Sequence, residues 1–176
     1  MKNLSPSRPT ATIAAPLPAA EPTQYLTFML AGETFAIGIL GIKEIIEYRG
    51  LTEVPMMPAC VRGVINLRGS VVPVLDPLAR FGKQPSPVGK RTCIVIVETG
   101  DALERQVVGV VVDAVNEVLD IADADIEPTP SFGTRIHAEF IDGIGKVNGR
   151  FVILLNVPRM LAIEQLAAVA AAETAH

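Results

Sequence analysis

The sequence predicts an all-β protein built as two small five-stranded β-barrels with short helices and a C-terminal helix. About ten short runs rich in β-branched and aromatic residues recur along the chain, with turn signals at regular spacing between them. Ala31-Gly32-Glu33 and Asn148-Gly149 are hairpin signals, and the second is the strongest two-residue turn available. A stretch at 84–89 containing Pro85 and Pro87 reads as a linker with five strands on each side. No sequence repeat aligns the two halves.

Residues 1–22 form a Pro/Ala/Ser/Thr tail without an apolar period. Such a composition cannot bury enough surface to offset the entropy of ordering it, so disorder is expected. Strands are expected at 25–30 and 34–39. Residues 45–49 read as a further strand, or 42–47 equally as a helical turn. Strands at 64–67 and 71–75 precede a brief helical piece at 77–81, ended by Gly82. Beyond the linker, 92–97 and 106–112 are strands around a polar loop containing Gly100, and 115–121 is a third. Pro128-Thr129-Pro130 forbids regular structure. Strands at 140–147 and 150–155 flank Asn148-Gly149. A helix follows at 157–172, with Asn156 as its cap and Pro158 tolerated in its first turn. The lobes are placed at about 25–83 and 90–155, within one domain of 23–165.

Composition removes several function classes. Of 176 residues, 49% are apolar and 19% charged, enough for a substantial core under a sparsely charged surface. The net charge of −4 argues against nucleic-acid binding, which needs clustered lysine and arginine. Cys60 and Cys93 sit in apolar sequence at no metal spacing and read as buried free thiols, which fits a reducing compartment. No run approaches the ~20 apolar residues of a membrane span. Pro6, Pro9, Pro16 and Pro18 interrupt any signal-peptide core, so a cytoplasmic protein without membrane insertion is expected.

Catalytic chemistry finds little to work with. His137 is the one histidine before the C-terminal residue, and no nucleophile stands in an elbow beside it. Gly143-Ile144-Gly145-Lys146-Val147-Asn148-Gly149 superficially resembles a dinucleotide loop, but a strand follows where a helix N-terminus should receive the phosphates. A small nucleotide-binding or hydrolytic enzyme using His137 and this run is the rival reading; a surface histidine and a glycine-rich hairpin are preferred. No pair of histidines or cysteines has metal-ligand spacing. The acids Asp113, Glu117, Asp120, Asp123, Asp125 and Glu127 read as a solvated face. No cofactor is expected.

The most informative run is Arg62-Gly63-Val64-Ile65-Asn66-Leu67-Arg68-Gly69-Ser70-Val71-Val72-Pro73-Val74-Leu75-Asp76. Two apolar strands meet at a turn carrying an arginine, with no acid, histidine or cysteine between Arg62 and Leu75 to do chemistry with it. A cation on a rigid β element suggests recognition, because its planar fork can grip a carboxylate bidentately. Two sources of that carboxylate are open: another protein, or Glu44 or Glu47 within the fold. Ile42, Ile45, Ile46, Val108, Val110 and Val111 supply more apolar surface than two tiny barrels easily bury, and any surplus forms a groove for a partner helix.

From Tyr25 to about Ile163 the chain resembles the CheW family of chemotaxis adaptors. The markers are Glu44-Ile45, the Arg62–Gly69 run with Pro73-Val74-Leu75-Asp76, Gly109-Val110-Val111-Val112-Asp113, Asp125-Ile126-Glu127-Pro128, and Gly143-Ile144-Gly145-Lys146. The resemblance implies two packed SH3-like barrels and a non-enzymatic scaffold. Its implied partners are chemoreceptor cytoplasmic tips and the regulatory domain of the chemotaxis histidine kinase, in arrays at the inner membrane. Carried over by position, Arg68 matches the arginine associated with receptor coupling, Ile42 and Glu44 the receptor-contact segment, and Gly63 and Asn66 the central motif. Ile45, Arg62 and Val108 complete the candidate receptor- or kinase-binding set. The proline-rich tail is an addition to the family pattern.

Overall fold

The computed structural model describes residues 22–100, 103–129 and 136–162. The chain opens with β1 (Thr23–Leu30) and β2 (Glu33–Gly38), passes a 3-10 turn at Ile39–Gly41, and continues into β3 (Ile42–Glu47). β4 (Val61–Leu67) and β5 (Ser70–Leu75) form a hairpin ahead of helix α1 (Pro77–Arg80). Then come β6 (Cys93–Gly100), β7 (Arg105–Val112), β8 (Ala114–Ile121), the short β9 (Ile126–Glu127), β10 (Ile141–Val147), β11 (Arg150–Leu155) and helix α2 (Val157–Met160). The ambiguous segment at 42–47 is therefore a strand, and its exposure alternates with the period of two that a strand requires.

The strands form two sheets, six-stranded in the order β8-β1-β2-β11-β10-β9 and five-stranded in the order β3-β6-β7-β5-β4. These are the two SH3-like lobes, and they share one core. The expected division at the linker needs correction. β1 and β2 belong with β8–β11, and β6 and β7 belong with β3–β5. The halves exchange their first hairpins through two parallel pairings, β2 with β11 (Phe35 opposite Ile153) and β7 with β5 (Gly109 opposite Val74). The exchanged hairpins are largely buried, with Leu26, Phe28, Leu30, Phe35 and Ile37 from one and Ile94–Val97 and Val108 from the other. Runs of that kind suit the middle of a sheet and not its edge. The six-stranded count exceeds five because β9 adds two residues beside β10.

Matching the strands brings a hidden duplication into register. The bulge between Val61 and Gly63, the pairings Gly63–Val74 and Leu67–Ser70, and the cap at Asp76 recur 80 positions later. Their counterparts are the bulge between Ile141 and Gly143, the pairings Gly143–Leu154 and Val147–Arg150, and the cap at Asn156. Ile42-Lys43-Glu44-Ile45-Ile46-Glu47 corresponds to Val115-Asn116-Glu117-Val118-Leu119-Asp120, because Ile45 opposes Val95 of β6 where Val118 opposes Leu26 of β1. The offset there is 73, not 80, so no single shift aligns the halves in sequence.

Both helices start as expected. The Asp76 carboxylate accepts from the N–H of Leu78 (2.9 Å) and Ala79 (3.3 Å), and the Asn156 Oδ1 accepts from the N–H of Arg159 (2.9 Å). The second helix is shorter than expected over its described part: α2 ends at Met160 with Leu161 as its cap. The expected continuation over 163–172 and the tail at 1–21 lie outside the described residues. The shared core contains a chain of rings, Phe28–Phe35 at 6.3 Å, Phe35–Phe81 at 6.2 Å and Phe81–Phe140 at 5.6 Å between centroids. Arg80 locks the two helices together: its Nε–H donates to the carbonyl of Met160 at 2.9 Å, and its guanidinium lies 4.7 Å from the Phe140 ring centroid.

Candidate functional site

Three hairpins have two-residue turns with positive φ at both central residues: Ala31-Gly32 (50° and 82°), Arg68-Gly69 (53° and 87°) and Asn148-Gly149 (50° and 79°). That is the type I′ pattern, whose hand matches the twist of the strands. Glycine suits the second place in each. At the first place asparagine is favoured and arginine is not, so Arg68 holds a left-handed conformation that its side chain does nothing to ease. Asn66 supplies the help instead, its Oδ1 accepting from the Gly69 N–H at 2.9 Å.

From this turn Arg68 reaches across to β3. Its Nη1 pairs with Glu44 Oε2 and its Nη2 donates to Glu44 Oε1 at 3.1 Å, a bidentate contact. β3 and β4 are the two edges of the five-stranded sheet, so the pair clasps the seam of that lobe. Of the two internal carboxylates that the sequence offers, Glu44 takes the arginine; Glu47 pairs with Arg49 at 3.3 Å. Accepting hydrogen bonds and carrying the opposite charge, Glu44 pushes the Arg68 guanidinium above its already high range. The arginine side chain is still 74% exposed, and its unused donors face solvent. Ile45, which follows Glu44 on β3, faces the opposite side of the strand and is 42% exposed. Near the clasp a groove of about 720 Å³ opens between Ile46, Leu51, Thr52, Val64 and Ile65.

The other candidates divide sharply. Arg62 turns inward, its Nη1 3.0 Å from Asp76 Oδ2 and its guanidinium 5.8 Å from the Tyr48 ring centroid, and so braces the capping aspartate. Gly63 is a packing requirement: at φ 154° a Cβ there would lie 2.4 Å from the Thr52 carbonyl oxygen. Ile42 is half-buried against the core. Val108 is fully buried between the lobes, which removes it from any docking surface; it sits on one of the exchanged hairpins. Val110 and Val111 are buried as well. Leu40 was missed: the 3-10 turn at Ile39–Gly41 swings it out to 96% exposure beside a second groove of about 350 Å³ near Val97, Gly100 and Pro158. In sequence it ends an apolar run that reads as strand, and only the Gly38 and Gly41 flanks hint at a turn.

The enzymatic rival finds no site among the described residues. His137 is exposed and meets the edge of the Phe140 ring, centroids 6.3 Å apart. The glycine run is strand β10 and its turn; a Cβ on Gly143 would approach Ile126 Cγ2 at 2.7 Å, so close packing explains that glycine. Cys60 and Cys93 are free, and burial pushes both thiols up, away from the reactive thiolate. No group of metal-ligating side chains occurs among the described residues. None of their helices is long and apolar enough to cross a membrane.

A family model for the CheW-like domain matches residues 24–165. The chain is 33% identical over 146 residues to the chemotaxis protein CheW of Klebsiella aerogenes, covering 83% of this chain and 86% of that one. It is 36% identical over 141 residues to the CheW of Helicobacter pylori, covering 80% and 82%. The protein FrzA of Myxococcus xanthus matches at 30% identity over 95% of this chain and 99% of its own. The crystal structure of the scaffolding protein TtCheW from Thermoanaerobacter tengcongensis superposes with a TM-score of 0.72 at 31% identity, covering 88% of this chain and 95% of that one. With two intertwined barrels, an arginine held at the tip of the central hairpin and these relatives along most of its length, the chain belongs to the CheW-like family.

Proposed function

We propose that the chain is a non-enzymatic adaptor that couples chemoreceptor cytoplasmic tips to the regulatory domain of a chemotaxis histidine kinase, and is recruited to receptor arrays at the inner membrane. The observation that carries this reading is Arg68 on its unfavourable turn. The arginine is strained, mostly exposed and already oriented by Glu44, near an open groove. An exposed ion pair contributes little to stability, so the fold alone gives small reason to keep an arginine there. Pre-orientation reduces the entropy lost when a partner carboxylate or carbonyl is gripped. Leu40 at the other end of the exchanged hairpins gives a second apolar contact, as an adaptor with two partners requires.

The test is Arg68→Ala, read by melting temperature and by kinase activation in receptor-containing membranes. The fold should survive with its melting temperature unchanged, while assembly of receptor, adaptor and kinase weakens by roughly ten- to a hundredfold. Lysine should rescue poorly, because an ammonium cannot reproduce the fork. Full activation by Arg68→Ala would sink the assignment of this surface.

A further inference from the structure

The three two-residue turns share one backbone shape and differ in what holds them. Asn148-Gly149 carries the residue that the first position favours, and among the described residues no side chain bonds its backbone. Ala31-Gly32 and Arg68-Gly69 carry residues that enter the left-handed region reluctantly, and each is braced by an acceptor from outside the turn. The Asp113 Oδ2 accepts from the Ala31 N–H at 2.8 Å, and the Asn66 Oδ1 accepts from the Gly69 N–H at 2.9 Å. A brace accompanies the turn that needs one.

The duplication supplies a control for Asn66. It opposes Val71 across its hairpin as Lys146 opposes Phe151, so the two residues hold the same place in the two lobes. Lys146 offers no acceptor to its turn; its Nζ lies over the Phe151 ring, 5.9 Å from the centroid. The six-stranded lobe thus makes the same turn without a brace, because asparagine stands at the tip. In the five-stranded lobe the tip carries arginine, and the arginine is held at both ends. Glu44 fixes its guanidinium, and Asn66 fixes the backbone from which the side chain departs.

We propose that Asn66 is a positioning residue for Arg68, acting on a partner through the turn and not by touching the partner itself. The proposal rests on the adaptor reading of this tip. Asn66 is needed only because residue 68 is an arginine: with asparagine there, the turn would hold itself. A contact role is the alternative to be separated, since Asn66 is exposed and its Nδ2 donors have no partner among the described residues.

The experiment is a double-mutant cycle on the full chain, Asn66→Ala crossed with Arg68→Asn, followed by amide hydrogen exchange at Ser70. Ser70 pairs with Leu67 across the turn, so its exchange reports opening of the tip. With arginine at 68, Asn66→Ala should quicken that exchange by roughly five- to tenfold. With asparagine at 68, the same change should alter it by less than about twofold. Assembly of receptor, adaptor and kinase should weaken in Asn66→Ala by a factor similar to the change in exchange. Asn66→Asp keeps the acceptor and gives up both donors, and should leave exchange and assembly close to those of the parent chain. The amide spectrum of each variant shows directly whether it is folded. Equal acceleration with either residue at 68 would make Asn66 a general part of the hairpin. Weakened assembly with undisturbed exchange, in Asn66→Ala or Asn66→Asp, would make it a contact. Either result overturns the proposal, and so does an opened turn with full assembly. The exchange readout involves no partner, so it is independent of the adaptor reading, whose own failure shows as full activation by Arg68→Ala.

Discussion

Two hairpin tips occupy the same place in the two halves of the molecule and are built to different ends. Asn148-Gly149 is the favoured chemistry for a type I′ turn, and it connects β10 to β11. Arg68-Gly69 makes the same turn with a residue that fits it poorly, propped by Asn66 and tied to Glu44. Everything around them is matched: the bulge before each, the buried glycine within each, the cap after each. When the scaffold is held constant in this way, a locally unfavourable residue stands out against its own internal control. The difference teaches that the tip of the five-stranded lobe is shaped by what it contacts, whereas the tip of the six-stranded lobe is shaped by the turn.

The largest effect should come from separating the two halves. Each sheet borrows its central hairpin from the other half, so residues 22–86 and 87–176 expressed alone each lack two strands and carry an exposed apolar edge. Neither fragment should show cooperative unfolding, and mixing them should restore one transition. A fragment that melts cooperatively on its own would mean that the hairpin exchange is not obligatory.

Gly63 and Gly143 allow a finer comparison, because they hold the same bulge position 80 residues apart. At Gly63 an added methyl meets the Thr52 carbonyl oxygen at 2.4 Å on a backbone with positive φ, and nothing nearby can yield cheaply. At Gly143 the nearest atom is the Ile126 Cγ2 at 2.7 Å, the end of a side chain, although the Glu127 oxygen follows at 2.9 Å. Gly63→Ala should therefore cost about 3 kcal/mol and Gly143→Ala about 1–2 kcal/mol, read from urea midpoints at constant slope. Equal losses would show that the bulge geometry, and not the local contact, sets the cost.

These contrasts also mark what the sequence makes legible. Strands announce themselves through apolar and β-branched runs, and Asn148-Gly149 and Ala31-Gly32 through turn chemistry, so the all-β class and nearly every strand are readable. The exchange of hairpins is not, because a linker with Pro85 and Pro87 looks like a boundary, and parallel pairings such as Val74 with Gly109 leave no local mark. The duplication is hidden because its loops differ in length. Residues 48–60, between β3 and β4, correspond to residues 121–140 ahead of β10, and the seven extra residues there move the offset from 73 to 80. At the site, Arg68 and its internal partner Glu44 are readable as candidates. The inward turn of Arg62 and the burial of Val108 depend on packing across distant segments, which periodicity within one strand cannot show.

The smallest effect on stability, and the sharpest on the comparison, belongs to Arg68→Asn. This change writes the six-stranded lobe's turn into the five-stranded one. Asparagine enters the left-handed region more easily than arginine, so the hairpin should gain slightly; losing an exposed ion pair should take away about as much. The melting temperature is expected to stay the same or rise slightly. Complex assembly with receptor and kinase should nevertheless fall as far as it does for Arg68→Ala, since neither side chain offers a cationic fork. A clear drop in melting temperature would instead make the Glu44 clasp the main reason for the arginine. Preserved assembly would mean that the turn's shape, and not its charge, is what partners read.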